Sequence, residues 1–295
     1  SALISALGRM EQGRTKVLVA PTMHGTMHNA QLVGNARRLA AQGVRFIAPR
    51  DAYGKHNLPD TELLCIAVGR ALSTSPLIDH KIMVTAGPTP VPIDGVRRIV
   101  NRFRGRLGAR VAEELIWRGA DAELILGDGA WRPSVPIPTT ITRTYDEYRD
   151  TVVARARDGL FAGVFSAGVA DYRPKQAVHG KIASGQSSLM LELEPTEKVI
   201  DLACQADPVM HCVAFKYLEG VSEEELIRVA AKRLDHAGLV VATRGEDTRG
   251  TEQRALMVAR DGVTPLEDKR AIAHAIADYL EALARNGHPL RAAAE

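Results

Sequence analysis

The stretch His80 to Gly129, HKIMVTAGPTPVPIDGVRRIVNRFRGRLGARVAEELIWRGADAELILGDG, decides how the chain folds. It opens on an apolar run, Ile82-Met83-Val84-Thr85-Ala86, that breaks at Gly87-Pro88. A basic loop with Asn101 at its centre follows, then Gly105 and Gly108, then a segment rich in Ala, Leu and Glu. A second apolar run, Glu123-Leu124-Ile125-Leu126, ends at Gly127-Asp128-Gly129. Strand, glycine turn, helix and strand make a βαβ unit, from which parallel sheets are built. Glycines between strand and helix let backbone amides approach an anion, and the helix N-terminus adds positive potential there. The same glycines would also serve a purely structural corner, and this stretch alone leaves the two open.

The chain around it is long enough, at 295 residues, for one large or two medium domains. With 45% hydrophobic and 25% charged residues it has the composition of an ordinary globular protein. Aromatics make up only 4%, too few for the stacking platforms that single-stranded nucleic acid requires. A net charge of +3 suits a small anionic ligand better than a polymer, so no nucleic-acid partner is expected. The three cysteines, Cys65, Cys204 and Cys212, lack CxxC spacing and lie in apolar segments, which predicts buried, reduced thiols in a cytoplasmic protein. No apolar run reaches the roughly 18 residues of a membrane span. Ser1 to Gly8 reads like the interior of a helix, which suggests a chain cut or processed upstream.

Upstream of the central stretch, Lys16–Pro21 and Val44–Pro49 predict short strands, and 31–42 and 60–73 predict helices, with Asp60 as an N-cap. This β-α-β-α segment ends at the Ser-Thr-Ser-Pro break of residues 73–76, giving expected domains of 1–76 and 77–295. Downstream, Thr139–Thr142 and Val164–Val169 predict strands, the second ending in Ala170-Asp171-Tyr172. A polar loop, Arg173 to Gly185, carries Lys175, His179 and Lys181, and Leu189–Leu193 predicts an edge strand. Helices follow at 145–157, 199–206, 222–237 (Ser222 and Glu225 forming a capping box) and 267–286. Strands His211–Tyr217, Leu239–Ala242 and Ala255–Ala259 complete the set, and the tail beyond residue 286 reads as disordered. The alternation predicts a three-layer, Rossmann-like α/β sandwich with a mostly parallel sheet. In such sheets ligands gather at the carboxyl ends of the strands, which singles out Asp171, although an Asp there also caps turns.

Several motifs are absent. There is no GxxxxGK[ST], no GxGxxG after a first strand, no HExxH, no zinc-spaced Cys/His set and no GxSxG around Ser166. His24 and His28 have i,i+4 spacing, but with Gly25 between them a metal role is weak.

Taken together these residues resemble the phosphopantothenate–cysteine ligase family, the synthetase half of bifunctional coenzyme A biosynthesis flavoproteins. Thr85-Ala86-Gly87-Pro88-Thr89 with Pro92-Ile93-Asp94 and Val96-Arg97 is similar to that family's opening motif. Asn101-Arg102 with Gly105 and Gly108 is similar to its Asn-Arg-Ser-Ser-Gly-Lys-Met-Gly segment, and Ser166 to Pro174 (SAGVADYRP) to its SAAVADYRP stretch. Lys181-Ile182, Leu191-Glu192-Leu193 and Phe215-Lys216 follow in the family's order. The front segment is similar to the tail of the decarboxylase half, with His24 in place of an asparagine. FMN is therefore not expected to be bound by this chain alone.

The resemblance implies a CTP-dependent condensation of 4'-phosphopantothenate with cysteine through an acyl-cytidylate. CTP would be the co-substrate, Mg²⁺ would bridge its phosphates, and a homodimer would be the working unit. Carried over by motif, Asn101 and Lys181 would be catalytic, with no residue ligating the metal directly. Gly87, Ala167, Gly168, Asp171, Lys181, Phe215 and Lys216 would meet the nucleotide, and Asn101, Arg102 and Gly105 the acid substrate. On this basis Asn101→Asp should spare nucleotide binding while amide formation collapses. The chain departs from the family at Pro90-Val91, Phe103-Arg104, Ala183-Ser184, Thr243-Arg244 and 250–254. Those departures leave open a ligase for another carboxylate, a non-catalytic subunit, or a fragment that joins a flavin-binding partner.

Overall fold

The computed structural model describes residues 2–11, 13, 15–24, 27, 29–52, 55–249 and 252–287. It divides into two compact units, one of residues 1–75 with 117–119 and 134–136, the other of the remaining residues from Pro76 onward.

In the first unit Leu18–Val19 pairs in parallel with Arg45–Phe46, joined through the helix Ala30–Ala41. Asn29 caps that helix by accepting from the Leu32 amide at 2.9 Å, and Gly43 ends it at φ +97°. The helix Thr61–Leu72 follows, with Asp60 at its N-cap position. The Asp60 side chain makes no cap bond, however, and pairs with Arg50 at 3.4 Å instead. An antiparallel sheet of Met23–His24, Lys55–Asn57 and Arg50–Ala52 adds to the expected β-α-β-α pattern. The side chain of His24, all of His28, and the tail beyond residue 287 lie outside the described residues.

The second unit is a three-layer α/β sandwich. Its sheet strands are β1 (Lys81–Ala86), β2 (Asp121–Gly127), β3 (Thr139–Thr142), β4 (Ala162–Phe165), β5 (His211–Leu218), β6 (Leu239–Arg244), β7 (Ala255–Ala259) and β8 (Gly262–Leu266). They lie in the order β3-β2-β1-β4-β5-β6-β7-β8, parallel from β3 through β6 and antiparallel at β7 and β8. The helices are α1 (Arg106–Arg118), α2 (Tyr145–Ala156), α3 (Val199–Ala206), α4 (Glu223–Ala231) and α5 (Lys269–Arg285). Apolar runs such as Ile82-Met83-Val84 are fully buried, as strands covered on both faces must be. Thr144, Ser222 and Asp268 cap α2, α4 and α5, each accepting from the amide three residues on. The capping box is only half made, because Glu225 turns to Arg228 rather than back to the cap. Beyond α4 the chain tightens into a 3₁₀ turn, Lys232–Asp235.

Parts of the structure differ from the sequence reading, the added strand β8 among them. β4 stops at Phe165, because Ser166 to Val169 turns across the sheet end to bond with the loop after β1. The edge strand expected at Leu189–Leu193 forms at Leu193–Pro195, opposite Tyr172–Pro174. Only Cys212 is buried; Cys204 is half-buried, and Cys65 is exposed on a helix whose buried residues are Ile66 and Ala71. Among the described residues no helix is long and apolar enough to cross a membrane.

Candidate active site

From β1 the chain runs outward to β2 and β3, then returns past β1 to build β4, β5 and β6 on the other side. The carboxyl ends of β1 and β4 therefore flank the topological switch point, where open α/β sheets hold their ligands. Here Gly168 donates its N–H to Gly87 O at 2.9 Å, and Pro88 and Gly168 form an isolated parallel bridge. Thr85, fully buried, accepts from Ser166 Oγ through its carbonyl at 2.8 Å and from the Ala167 amide through its hydroxyl at 3.3 Å. Tyr148 of α2 also donates to the Thr85 hydroxyl, at 3.2 Å, and Thr89 accepts from the Ala170 amide at 2.8 Å. The two threonines of TAGPT thus stitch the β4 loop to the β1 loop.

The glycines make this closeness possible. Gly105 precedes α1 at φ +72°, and a Cβ there would lie 2.5 Å from the Gly87 amide nitrogen. The first turn of α1 consequently starts against the Gly87 loop. Its leading amides have no partner within the helix, so positive potential faces the switch point.

Asn101 donates from Nδ2 to the carbonyls of Gly168 and Val169, both at 3.0 Å. Arg102 engages Tyr217 Oη at 2.7 Å and the Glu219 carboxylate, which ties its loop to the end of β5. Those two partners hold the Arg102 guanidinium pKa above its usual value. Phe103 packs edge-on against Tyr217, with ring centroids 5.0 Å apart, and also abuts Gly168. Phe215 and Lys216 sit in β5, in register with Val241 and Ala242. Burial lowers the Lys216 ammonium pKa, Arg233 and Lys198 push the same way, and Asp171 opposes them. Asp171 is exposed and pairs with Lys198 at 2.5 Å. The structure thus gathers Gly87, Asn101, Arg102, Gly105, Ala167 and Gly168 at one strand end, and links Asp171 electrostatically to Lys216.

Lys181 stands on an exposed loop whose backbone is tethered on both sides of it. Asp94, with its side chain fully buried, accepts from the Val96 and Arg97 amides at 2.8 and 2.6 Å, from Arg97 Nη1 at 2.5 Å and from the Ile182 amide at 3.0 Å. Gly95 donates to Gly180 O at 2.7 Å, Val178 to Ile93 O at 3.1 Å, and Arg97 Nη1 to Ile182 O at 3.2 Å. Burial alone would raise the Asp94 carboxyl, but the three backbone donors and the Arg97 guanidinium outweigh it and hold the pKa well below the usual carboxylate range. A lowered folded-state pKa contributes stability above the unfolded value of about 3.9, and that stability is lost as pH falls through the folded pKa. The stability gap between wild type and Asp94→Asn is therefore expected to be full at neutral pH and to shrink below about pH 4. Urea unfolding between pH 2 and 7 checks this, and a gap independent of pH would contradict it.

Sequence reasoning left Asp94, Thr85 and Thr89 as motif letters, and gave Lys198, Tyr217 and Glu219 no role. The bonds that join Asp94 to Ile182, Thr85 to Ala167, Thr89 to Ala170, Lys198 to Asp171 and Glu219 to Arg102 link distant parts of the chain, so no local pattern marks them. Among the described residues no group of three or more His, Cys, Asp or Glu side chains could hold a metal. The Asp94 oxygens are already taken by N–H donors, and the exposed Asp171, whose charge acts on Lys216, is paired with Lys198.

Residues 77–283 match the family model of the DNA/pantothenate metabolism flavoprotein C-terminal domain. The chain belongs to this family. It is 35% identical over 278 residues to the coenzyme A biosynthesis bifunctional protein CoaBC of Thermococcus kodakarensis, covering 90% of this chain and 67% of that protein. The DNA/pantothenate metabolism flavoprotein of Streptococcus pneumoniae superposes with a TM-score of 0.64 at 25% identity, over 69% of this chain and 99% of that one. The C-terminal domain of a CoaBC protein superposes at 0.60 with 24% identity, over 72% of this chain and all of that one. The resemblance drawn from TAGPT, SAGVADYRP and Lys181-Ile182 therefore holds, and the family's fold is the sandwich described above.

Proposed function

We propose that the chain is a nucleotide-dependent acid–amine ligase of coenzyme A biosynthesis, with CTP, 4'-phosphopantothenate and cysteine as substrates. The observation that carries this reading is the convergence of Gly87, Asn101, Gly105 and Gly168 at the β1/β4 switch point, beside the N-terminus of α1. A substrate carboxylate would attack the α-phosphorus of CTP, forming the acyl–phosphate bond as pyrophosphate leaves. The cysteine amine would then attack the acyl carbon, losing a proton as CMP departs and the amide forms.

Charge developing on phosphate oxygens needs donors already in place. Lys181 would neutralise the phosphates, with the backbone of Gly87 and the leading amides of α1 adding donors. Ala167, Gly168 and Asp171 would read the nucleoside, Phe215 would border the base, and Lys216 would add positive charge. Asn101 would hold the Ala167–Asp171 loop in shape, and Arg102 would be available to the acid if that ligand displaced Glu219. Mg²⁺, when bound to the triphosphate, would supply charge neutralisation.

The test is incubation with CTP, Mg²⁺, 4'-phosphopantothenate and cysteine, following CMP and pyrophosphate. Stoichiometric release of both is expected, with ATP, GTP and UTP slower. No release from any nucleotide, beside an active reference ligase, would sink the reading. The proposal extends to a homodimer. Met190 is 91% exposed, and Leu189, Leu191 and Leu193 beside it are exposed too, an apolar run that a second copy would cover. Light scattering should then give about twice the 31.9 kDa of one chain.

A further inference from the structure

We infer that Asp94, together with Arg97, is the positioning device for Lys181, clamping the backbone around the lysine while leaving its ammonium free to reach an anionic ligand. This rests on the reading of Lys181 as the group that meets the phosphates. Asp94 itself has no capacity to touch a ligand. An ionised carboxylate offers about four lone-pair sites, and here four N–H groups occupy them, two on each oxygen. It is therefore neither a substrate-binding carboxylate nor a metal ligand.

Its reach is long instead. The Asp94–Ile182 bond joins positions 88 residues apart, from the loop after β1 to the loop after β4. Gly180 and Ile182, the immediate neighbours of Lys181, are both held, the first by Gly95 and the second by Asp94 and Arg97. The chain just beyond, residues 183–191, is exposed throughout. Lys181 makes no ion pair among the described residues, so its ammonium is uncommitted on a backbone that is committed. Charge-assisted bonds suit such an anchor, because they are stronger than neutral ones at the same geometry. The fit is tight as well, since a Cβ added at Gly95 would lie 3.0 Å from Gly180 O.

Asp94→Asn keeps the shape but sets an NH₂ group against an N–H donor. Amide hydrogen exchange across 178–182 is expected to quicken by about 10-fold or more, with the strands of the sheet unchanged. This measurement needs no turnover and holds whatever the reaction proves to be. The second measurement is a double-mutant cycle with Lys181→Ala. Asp94→Asn should lower kcat/KM by about 10-fold in the wild-type background and by less than about 2-fold when Lys181 is already gone. An equal fall in both backgrounds, or unchanged exchange at 178–182, would overturn the inference. Should Asp94→Asn fail to fold, Arg97→Ala removes the Nη1 donor that bonds both Asp94 and the Ile182 carbonyl, and must quicken exchange across the same amides. Absence of turnover in the wild type would count against the ligase reading alone, and the exchange comparison would still decide the clamp.

Discussion

Replacing Asn101 with Asp is expected to destabilise the protein more than replacing it with Ala, and to free the Ser166–Asp171 loop. The Asn101 amide donates to the carbonyls of Gly168 and Val169, each at 3.0 Å. Alanine loses both bonds but lets water reach the carbonyls, at a cost of about 1–2 kcal/mol. Aspartate sets a negative oxygen against two carbonyl oxygens, and about 2–4 kcal/mol is expected. Thermal midpoints should fall in the order wild type, Ala, Asp, with the Asp variant down by roughly 5–10 °C. An Asp variant as stable as the Ala variant would refute this. The consequence for function is direct: Asn101→Asp disturbs the loop that is proposed to read the nucleotide. It is therefore not expected to spare nucleotide binding, contrary to what motif reasoning suggests. A loss of amide formation in that variant must accordingly be set beside its nucleotide affinity.

Gly127→Ala is expected to be at least as damaging, for a purely steric reason. Gly127 closes β2, and a Cβ built there would fall on the carbonyl oxygen of Pro88, with the Pro88 nitrogen 3.0 Å away. The obstacle is backbone, so no rotamer change relieves it, and the loop carrying Gly87 and Pro88 must move. A cost of about 3 kcal/mol or more is expected. Gly129→Ala, two residues on, is the matched control. Gly129 has φ +76° and nothing within 4 Å of an added Cβ, so only left-handed strain of about 1 kcal/mol applies. Urea midpoints of the two variants separate contact from conformation, and equal midpoints would show that the Pro88 contact does not matter.

Much of the second unit was legible because buried parallel strands announce themselves. Ile82-Met83-Val84, Leu124-Ile125-Leu126 and Val240-Val241-Ala242 are apolar on consecutive residues, and all are buried. The same signal misleads at Ser166 to Val169, where apolar composition continues but the backbone leaves the sheet to meet Gly87. β8 went unread because Gly262-Val263-Thr264-Pro265 carries little apolar weight and contains a proline. At the site, the glycines and threonines were visible as a motif, whereas the work of Asp94 depends on a partner 88 residues away. The Arg102–Glu219 pair spans 117 residues and is likewise a product of the folded state. Such pairings come from the sheet order, which a single sequence does not write down locally.

That same β8 has a bearing on how the molecule keeps to itself. The margin of a sheet is a template on which another chain can lay a strand. β8 occupies one margin of this sheet with residues 262–265 exposed, and Pro265 offers no N–H to a newcomer. Gly262 at its start adds no side chain on which an added strand could pack. The margin is thereby blunted against runaway stacking during synthesis and refolding, at a place remote in sequence from every residue of the proposed site.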